Sequence, residues 1–224
     1  MLKYSKNLIK EDNVVRKILA LILAIVFVVP VAWADETLPA PEKSGGASLL
    51  QALSARQSVR EFADTDLTPQ QLSNLLWATA GVNRPDGKRV YPVAMNLLDT
   101  SVYVVTRDGV YKYEPLAHSL TLIEKGDHRM DTTTGQDFVG KAAVNLAYVH
   151  DISLWEGNKA PKEVIRQWGF AHTGAVMQNA GLYAASQGWN AVVRGSFDQA
   201  KLSKLLKLSE SQSVTLVQSI GPKP

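Results

Sequence analysis

The 224-residue chain contains no cysteine. That excludes disulfides, thiolate nucleophiles, cysteine-bound zinc or iron–sulfur centres and a lipid-modified N-terminal cysteine. Histidine is scarce: His118, His128, His150 and His172 are scattered, with no pair at i, i+4, so the helical zinc-protease pattern is missing. There is no Gly-x-Ser-x-Gly elbow and no Walker-type phosphate loop. Asp99, Asp127 and Asp137 show no pairing along the sequence, so a two-carboxylate hydrolase has no support. A chain without an evident acid, base or nucleophile points to chemistry carried by a bound cofactor.

Long apolar runs are also rare. The twelve residues 18–29 (ILALILAIVFVV) form the longest one, preceded by Lys3, Lys6, Lys10, Arg16 and Lys17 and ended by Pro30. With the small-x-small pattern Ala32-Trp33-Ala34, residues 1–34 read as a secretory signal peptide cut before Asp35. The run is short for a spanning helix, which needs about 20 residues. Export to the periplasm or beyond is therefore expected, with membrane contact only through an uncleaved signal. The formal net charge of +3 belongs to this segment, because removing its five Lys/Arg and two Asp/Glu leaves the remainder neutral. Nucleic-acid binding, which requires a basic face, is not indicated. Residues 35–47, rich in Pro, Gly and charge, read as a flexible leader to a single domain over 48–224.

Within that domain, residues 48–55 suggest a short helix with Leu49, Leu50 and Leu53 on one side. A clearer helix starts at Thr68, with Pro69 at its first position, Gln71 completing a capping box and Gly81 ending it. Residues 101–106, 110–113 and 119–123 suggest an antiparallel meander turning at Asp108-Gly109. Residues 136–141 suggest a short helix, and residues 142–149 a buried strand. The longest helical pattern covers 161–187 and is ended by Gly188, with Gly174 and Gly181 attributed to close packing. A strand over 189–193 follows, then a helix opened by a second capping box from Ser196 to Gln199, and a last strand over 213–220. The fold class is α+β (mixed α/β).

The pattern Arg56-Gln57-Ser58-Val59-Arg60 stands out. In an extended segment Arg56, Ser58 and Arg60 project together, and two guanidinium forks with a hydroxyl suit a phosphate dianion. On a helix the same arginines would be surface partners of Glu61 and Asp64. His172 falls on the apolar side of the long helix and reads as a hydrogen-bonded core residue. Trp77, Trp168 and Trp189 are expected in the core, and Trp155, beside Gly157-Asn158, as a mobile lid.

Together the segments Arg56-x-Ser58-x-Arg60-x-Phe62, the Leu-Thr-x-x-x-Leu-x-x-Leu-Leu-Trp-Ala-x-x-Gly-Val helix from Leu67, Arg84, and Pro92-Val93-Ala94-Met95-Asn96 resemble the FMN-dependent nitroreductase superfamily. So do Gly174-x-x-x-Gln178-Asn179-x-x-Leu182 and the closing Ser219-Ile220-Gly221-Pro222. The Leu-Trp-Ala helix and residues 109–120 are most similar to its SagB-like branch.

The resemblance implies a mainly antiparallel sheet flanked by helices, in a homodimer that holds each FMN between its subunits. It implies hydride transfer from NAD(P)H or another reductant through FMN to a small nitroaromatic or quinone-like acceptor. Arg56, Gln57, Ser58 and Arg60 would hold the phosphate end, with Lys223 as the basic residue after the closing strand. Pro92, Val93, Ala94, Met95 and Asn96 would reach the flavin from the other subunit, Val93 replacing the usual serine. Val192, Val193, Arg194 and Gly195 would lie at the ring edge, where a backbone N–H stabilises the reduced ring. The competing expectation is a non-catalytic exported flavin-binding or dimeric interaction module.

Overall fold

The computed structural model describes residues 36–224. Residues 1–34, and with them the apolar run and the Ala32-Trp33-Ala34 pattern, lie outside the described residues. Among the described residues no helix is long and apolar enough to cross a membrane.

Seven strands form one antiparallel sheet: β1 (Glu36–Thr37), β2 (Thr100–Val105), β3 (Gly109–Glu114), β4 (Ser119–Lys125), β5 (Val144–Asp151), β6 (Asn190–Arg194) and β7 (Gln212–Gly221). Their spatial order is β1-β4-β3-β2-β5-β7-β6. The helices are α1 (Leu49–Ala55), α2 (Pro69–Ala80), α3 (Lys162–Ser186) and α4 (Gln199–Leu205). The α+β class and the meander are as the sequence indicates.

Strand periodicity assigns the two faces of the sheet. Val102 and Val104 of β2, with Leu146 and Tyr148 of β5, pack with Leu75 and Leu76 of α2 and with Val176, Ala180 and Ala184 of α3. Their neighbours Tyr103, Val105, Ala147 and Val149 point the other way, toward Leu202 of α4 and Leu206 just after it. Both faces of β5 are therefore covered, which is why its middle, residues 146–149, is a continuous apolar run rather than an alternating one.

Local chemistry sets the helix starts. Ser48 caps α1 with Gln51, and Thr68 caps α2 with Gln71, both as full capping boxes. The third differs: Asp198, not Ser196, caps α4 by accepting from the Lys201 amide, and no capping box forms. Gly81 ends α2 in extended backbone, and its lack of a side chain makes room for Trp77, whose Cδ1 would lie 2.4 Å from a Cβ there. Residues 136–141 contain a short 3-10 turn, Asp137–Gly140.

The stretch expected to be a flexible leader is fastened along α2. Glu36 and Thr37 pair with β4, and Leu38 is buried. The Ser73 hydroxyl donates to the Pro39 carbonyl (2.6 Å), and the Glu42 amide donates to Asn74 (2.8 Å). Lys43 lies 5.4 Å from the Trp77 ring centroid. The tryptophan expectations exchange places: Trp155 is buried at 3 % exposure, whereas Trp168 is 44 % exposed. Leu49, Leu50 and Leu53 face solvent from α1.

Candidate functional site

Residues 56–60 leave α1 and run extended beside β6, the edge strand of the sheet. Ser58 bridges Ala191 in parallel, and the Val59 amide donates to the Ala191 carbonyl (3.0 Å). The segment is held in place by Phe62, buried with Ala142 and Val192, and by the Asn190 side chain, which donates to the Glu61 carbonyl (2.7 Å). This pairing covers part of the exposed sheet edge and aims the segment's polar groups at α3.

A cleft opens between this segment, β6 and the second half of α3. One part is lined by Arg56, Gln57, Ser58, Met177, Gln178, Val192 and Val193. The adjoining part is lined by Arg56, Gln57, Val59, Ala185, Trp189 and Lys223. Gly181 lines both parts, and a Cβ there would make only ordinary contacts. Arg56, Arg60 and Lys223 have no ion-pair partner among the described residues. Asp64, one expected surface partner, is taken by Arg107. Arg60 is exposed and lies outside both parts of the cleft. Two unpaired cations beside an amide and a hydroxyl, against an apolar strand, fit the phosphate end and the flank of a flavin mononucleotide.

Val192 and Val193 thus share the cleft with Arg56, Gln57, Ser58 and Lys223. Arg194 does not open into it. Its side chain, 4 % exposed, donates to the Thr132 carbonyl (2.9 Å) and hydroxyl (3.0 Å), to Ser219 (3.0 Å) and to Asn145 (3.1 Å). Burial pushes its guanidinium down to about 10. Its chemistry is therefore structural, and Gly195 beyond it is exposed.

Pro92, Val93, Ala94, Met95 and Asn96 form a separate group at the first half of α3. The Ala94 amide donates to His172 Nε2 (2.9 Å). From His172 to Gly181 the helix rises by about 13 Å at 1.5 Å per residue, so within one chain this group and the cleft address different parts of α3. Met95 (φ 54°) and Asn96 (φ 59°) are consecutive left-handed residues, which cost about 1 kcal/mol or more each without glycine. Met95 is 72 % exposed.

Beneath this turn lies a buried polar cluster that spacing does not reveal. Asp99 accepts from His172 Nδ1 (2.7 Å) and from Trp155 Nε1 (2.7 Å). His150 Nε2 stands 3.3 Å from the same carboxylate, without hydrogen-bond geometry. Burial pushes Asp99 up, but the close approach of the His150 ring and donation from His172 and Trp155 outweigh it and hold the carboxyl below its ordinary value. Among the described residues no group is arranged to hold a metal ion.

A second polar chain joins Ser73, His118 and Tyr113. Ser73 donates to Pro39, so His118 Nε2 donates to Ser73 (2.7 Å), and Tyr113 donates to Nδ1 (2.9 Å). The proton order is the reverse of a nucleophile activated by a base, and it locks the 36–43 stretch onto α2.

A seven-stranded antiparallel sheet under a long helix, with a cationic cleft at its edge strand, defines an α+β class of protein with an anion-binding cleft. The nitroreductase family model matches residues 53–222. A curated protein of Methanocaldococcus jannaschii, provisionally described as a nitroreductase, is 31 % identical over 175 residues, 72 % of this chain and 85 % of that one. A crystal structure from Ralstonia eutropha, described in the same provisional terms, is 37 % identical with a TM-score of 0.79, covering 87 % of this chain and 91 % of that one. The NADPH:FMN oxidoreductase of Vibrio harveyi, solved with NAD+, shares the fold at 19 % identity and a TM-score of 0.58, over 78 % of this chain and 68 % of that one. The chain belongs to the nitroreductase family, and its general class is flavin-dependent oxidoreductase.

Proposed function

We propose that the protein is an exported, FMN-dependent oxidoreductase of the SagB-like branch. It would pass two electrons from NAD(P)H or another reductant to a small nitroaromatic or quinone-like acceptor. The observation that carries this reading is the cleft where unpaired Arg56 and Lys223 meet Gln57, Ser58 and the β6 wall. Bound FMN would supply reversible two-electron chemistry that no side chain of the cleft can supply.

The chain's own residues bind and orient. Arg56 and Lys223 neutralise the phosphate, with Gln57 and Ser58 donating hydrogen bonds. Met177, Val192 and Val193 give the flank an apolar wall that excludes water. Arg60, exposed beside the cleft, adds to its positive field.

The proposed homodimer rests on exposed apolar surface. Leu49, Leu50 and Leu53 of α1, and Val164, Trp168 and Phe170 of α3, are between 36 % and 78 % exposed. Clusters of this kind on packed helices mark a buried association surface. In that dimer the Met95–Asn96 turn would reach the partner's flavin.

The test is retention of flavin. Purified protein should bind FMN with visible absorbance, and replacing both Arg56 and Lys223 by Ala should weaken binding at least about a hundredfold, as two charge-assisted contacts are lost. Wild-type protein that ignores added FMN sinks the cofactor reading. Bound FMN that no reductant reduces would favour the non-catalytic flavin-binding module. Intact mass of protein recovered after export should begin at Asp35; a retained residue 1–34 segment refutes cleavage there.

A further inference from the structure

His172 sits midway along α3, 3 % exposed, with both ring nitrogens engaged. The Ala94 amide can only donate, so Nε2 is its acceptor and carries no proton. The ring proton is then on Nδ1, facing Asp99, and the carboxylate sets that tautomer. The chain Asp99–His172–Ala94 thus ends on the turn containing left-handed Met95 and Asn96. Within the turn, the Leu97 amide donates to the Ala94 carbonyl (3.0 Å). From outside, Asn158 touches Met95 Sδ (3.5 Å). The same carboxylate holds Trp155, three residues before Asn158. One buried acid therefore ties down both segments that flank Met95.

We propose that His172 is a positioning residue: its Nδ1-protonated ring, fixed by Asp99, holds residues 92–96 in the conformation presented to the flavin across the dimer. This role rests on the flavin reading for its purpose, but the positioning itself is a property of the chain alone. His172 touches no reacting atom in it. Asp99 acts through His172, and its two oxygens are committed to different partners. An Asp99→Asn amide can turn its oxygen toward either His172 or Trp155, not both. Facing Trp155 with its oxygen, it would donate to Nδ1, move the ring proton to Nε2 and set two donors against each other at Ala94.

The experiment uses the full chain without added flavin. Imidazole 15N shifts of wild-type protein should report Nδ1-protonated, Nε2-accepting His172; a proton on Nε2 overturns the proposal before any variant is made. Amide exchange by mass spectrometry then follows peptides covering 92–99 and, as controls, β5 and α2. His172→Phe should speed exchange in the 92–99 peptide by about tenfold or more, the controls staying protected. His172→Gln, whose carbonyl reaches the Nε2 position, should restore most of that protection, and Asp99→Asn should resemble His172→Phe or free Trp155 fluorescence. Unchanged exchange in folded His172→Phe, or no rescue by Gln, overturns the proposal. A parallel FMN titration separates the two readings. Wild-type protein that binds no FMN refutes the flavin reading and leaves the exchange result to decide the positioning. Full FMN affinity in a His172→Phe variant with a loosened turn refutes the purpose assigned to it.

Discussion

The ring of His150 lies directly against the α-carbon of Gly169, so close that a Cβ there would sit 2.5 Å from the imidazole. His150 belongs to β5 and Gly169 to α3, and this contact sets how near the helix comes to the sheet. Gly174, five residues on, has nothing within 4 Å of a Cβ, so close packing does not account for it among the described residues. Gly169→Ala is therefore expected to lower stability by about 1–3 kcal/mol through overpacking. Gly174→Ala should raise it by about 0.4–1 kcal/mol through helix propensity. Urea denaturation of the two variants checks the pair, and equal destabilisation would contradict the assigned spacing.

Arg194 is a buried cation whose four acceptors are all neutral: the Thr132 carbonyl and hydroxyl, Asn145 and Ser219. Arg194→Met leaves these groups bare inside the protein, at about 1–3 kcal/mol for each buried polar group that finds no substitute. A net loss of about 2 kcal/mol or more is expected, because losing the charge also removes its desolvation penalty. Chemical denaturation measures it; a neutral or stabilised variant would show that Arg194 does not hold β6 to residues 129–133.

Two histidines give opposite pH signatures. Burial, with Lys43 nearby, lowers His118 below its ordinary 6.5. Its neutral ring is favoured by folding, so its contribution is present above about 6.5 and is lost as pH falls toward the lowered value. Hydrogen bonding to Asp131 raises His128. Its contribution is complete below 6.5 and is lost as pH rises through the raised value. His118→Gln should therefore flatten the loss of thermal stability between about pH 7.5 and about pH 5.5. His128→Gln should cost more at the acid end than at the alkaline end. Melting curves across that range decide both signs.

Exposed Leu50 and Trp168 predict the oligomeric state. Sedimentation should find a dimer for the wild type, and Leu50→Glu with Trp168→Glu should give a folded monomer of unchanged helicity, since Leu50 is 78 % and Trp168 44 % exposed. A monomeric wild type would refute the dimer. A monomeric variant that keeps full FMN affinity would refute a flavin shared between subunits.

How much was legible depended on how far the information travels along the chain. The capping boxes at Ser48 and Thr68 join residues three apart, and the meander joins neighbouring strands, so local chemistry announced them. At the second half of the chain the same reading placed a cap at Ser196, where Asp198 competes two residues on and takes the role. The Arg56-Gln57-Ser58-Val59-Arg60 pattern stands out in the sequence because an extended segment aligns alternate side chains. The structure places Arg56, Gln57 and Ser58 in the cleft with Lys223, and leaves Arg60 outside both parts.

The sequence by itself determined the elements, the two-faced strands and the polar segment at the sheet edge, because periodicity and caps act within a few residues. Only the tertiary structure decided which apolar groups are covered. It buried Trp155 and left Trp168 and the leucines of α1 outside, since hydrophobicity records a preference for burial but not which face finds a partner. It also turned Arg194 inward. Most of all, it joined Asp99 to His172 across 73 residues and placed Ala94 on the ring's far side. A buried carboxylate must find its donors wherever the packed chain brings them, and no local spacing encodes that.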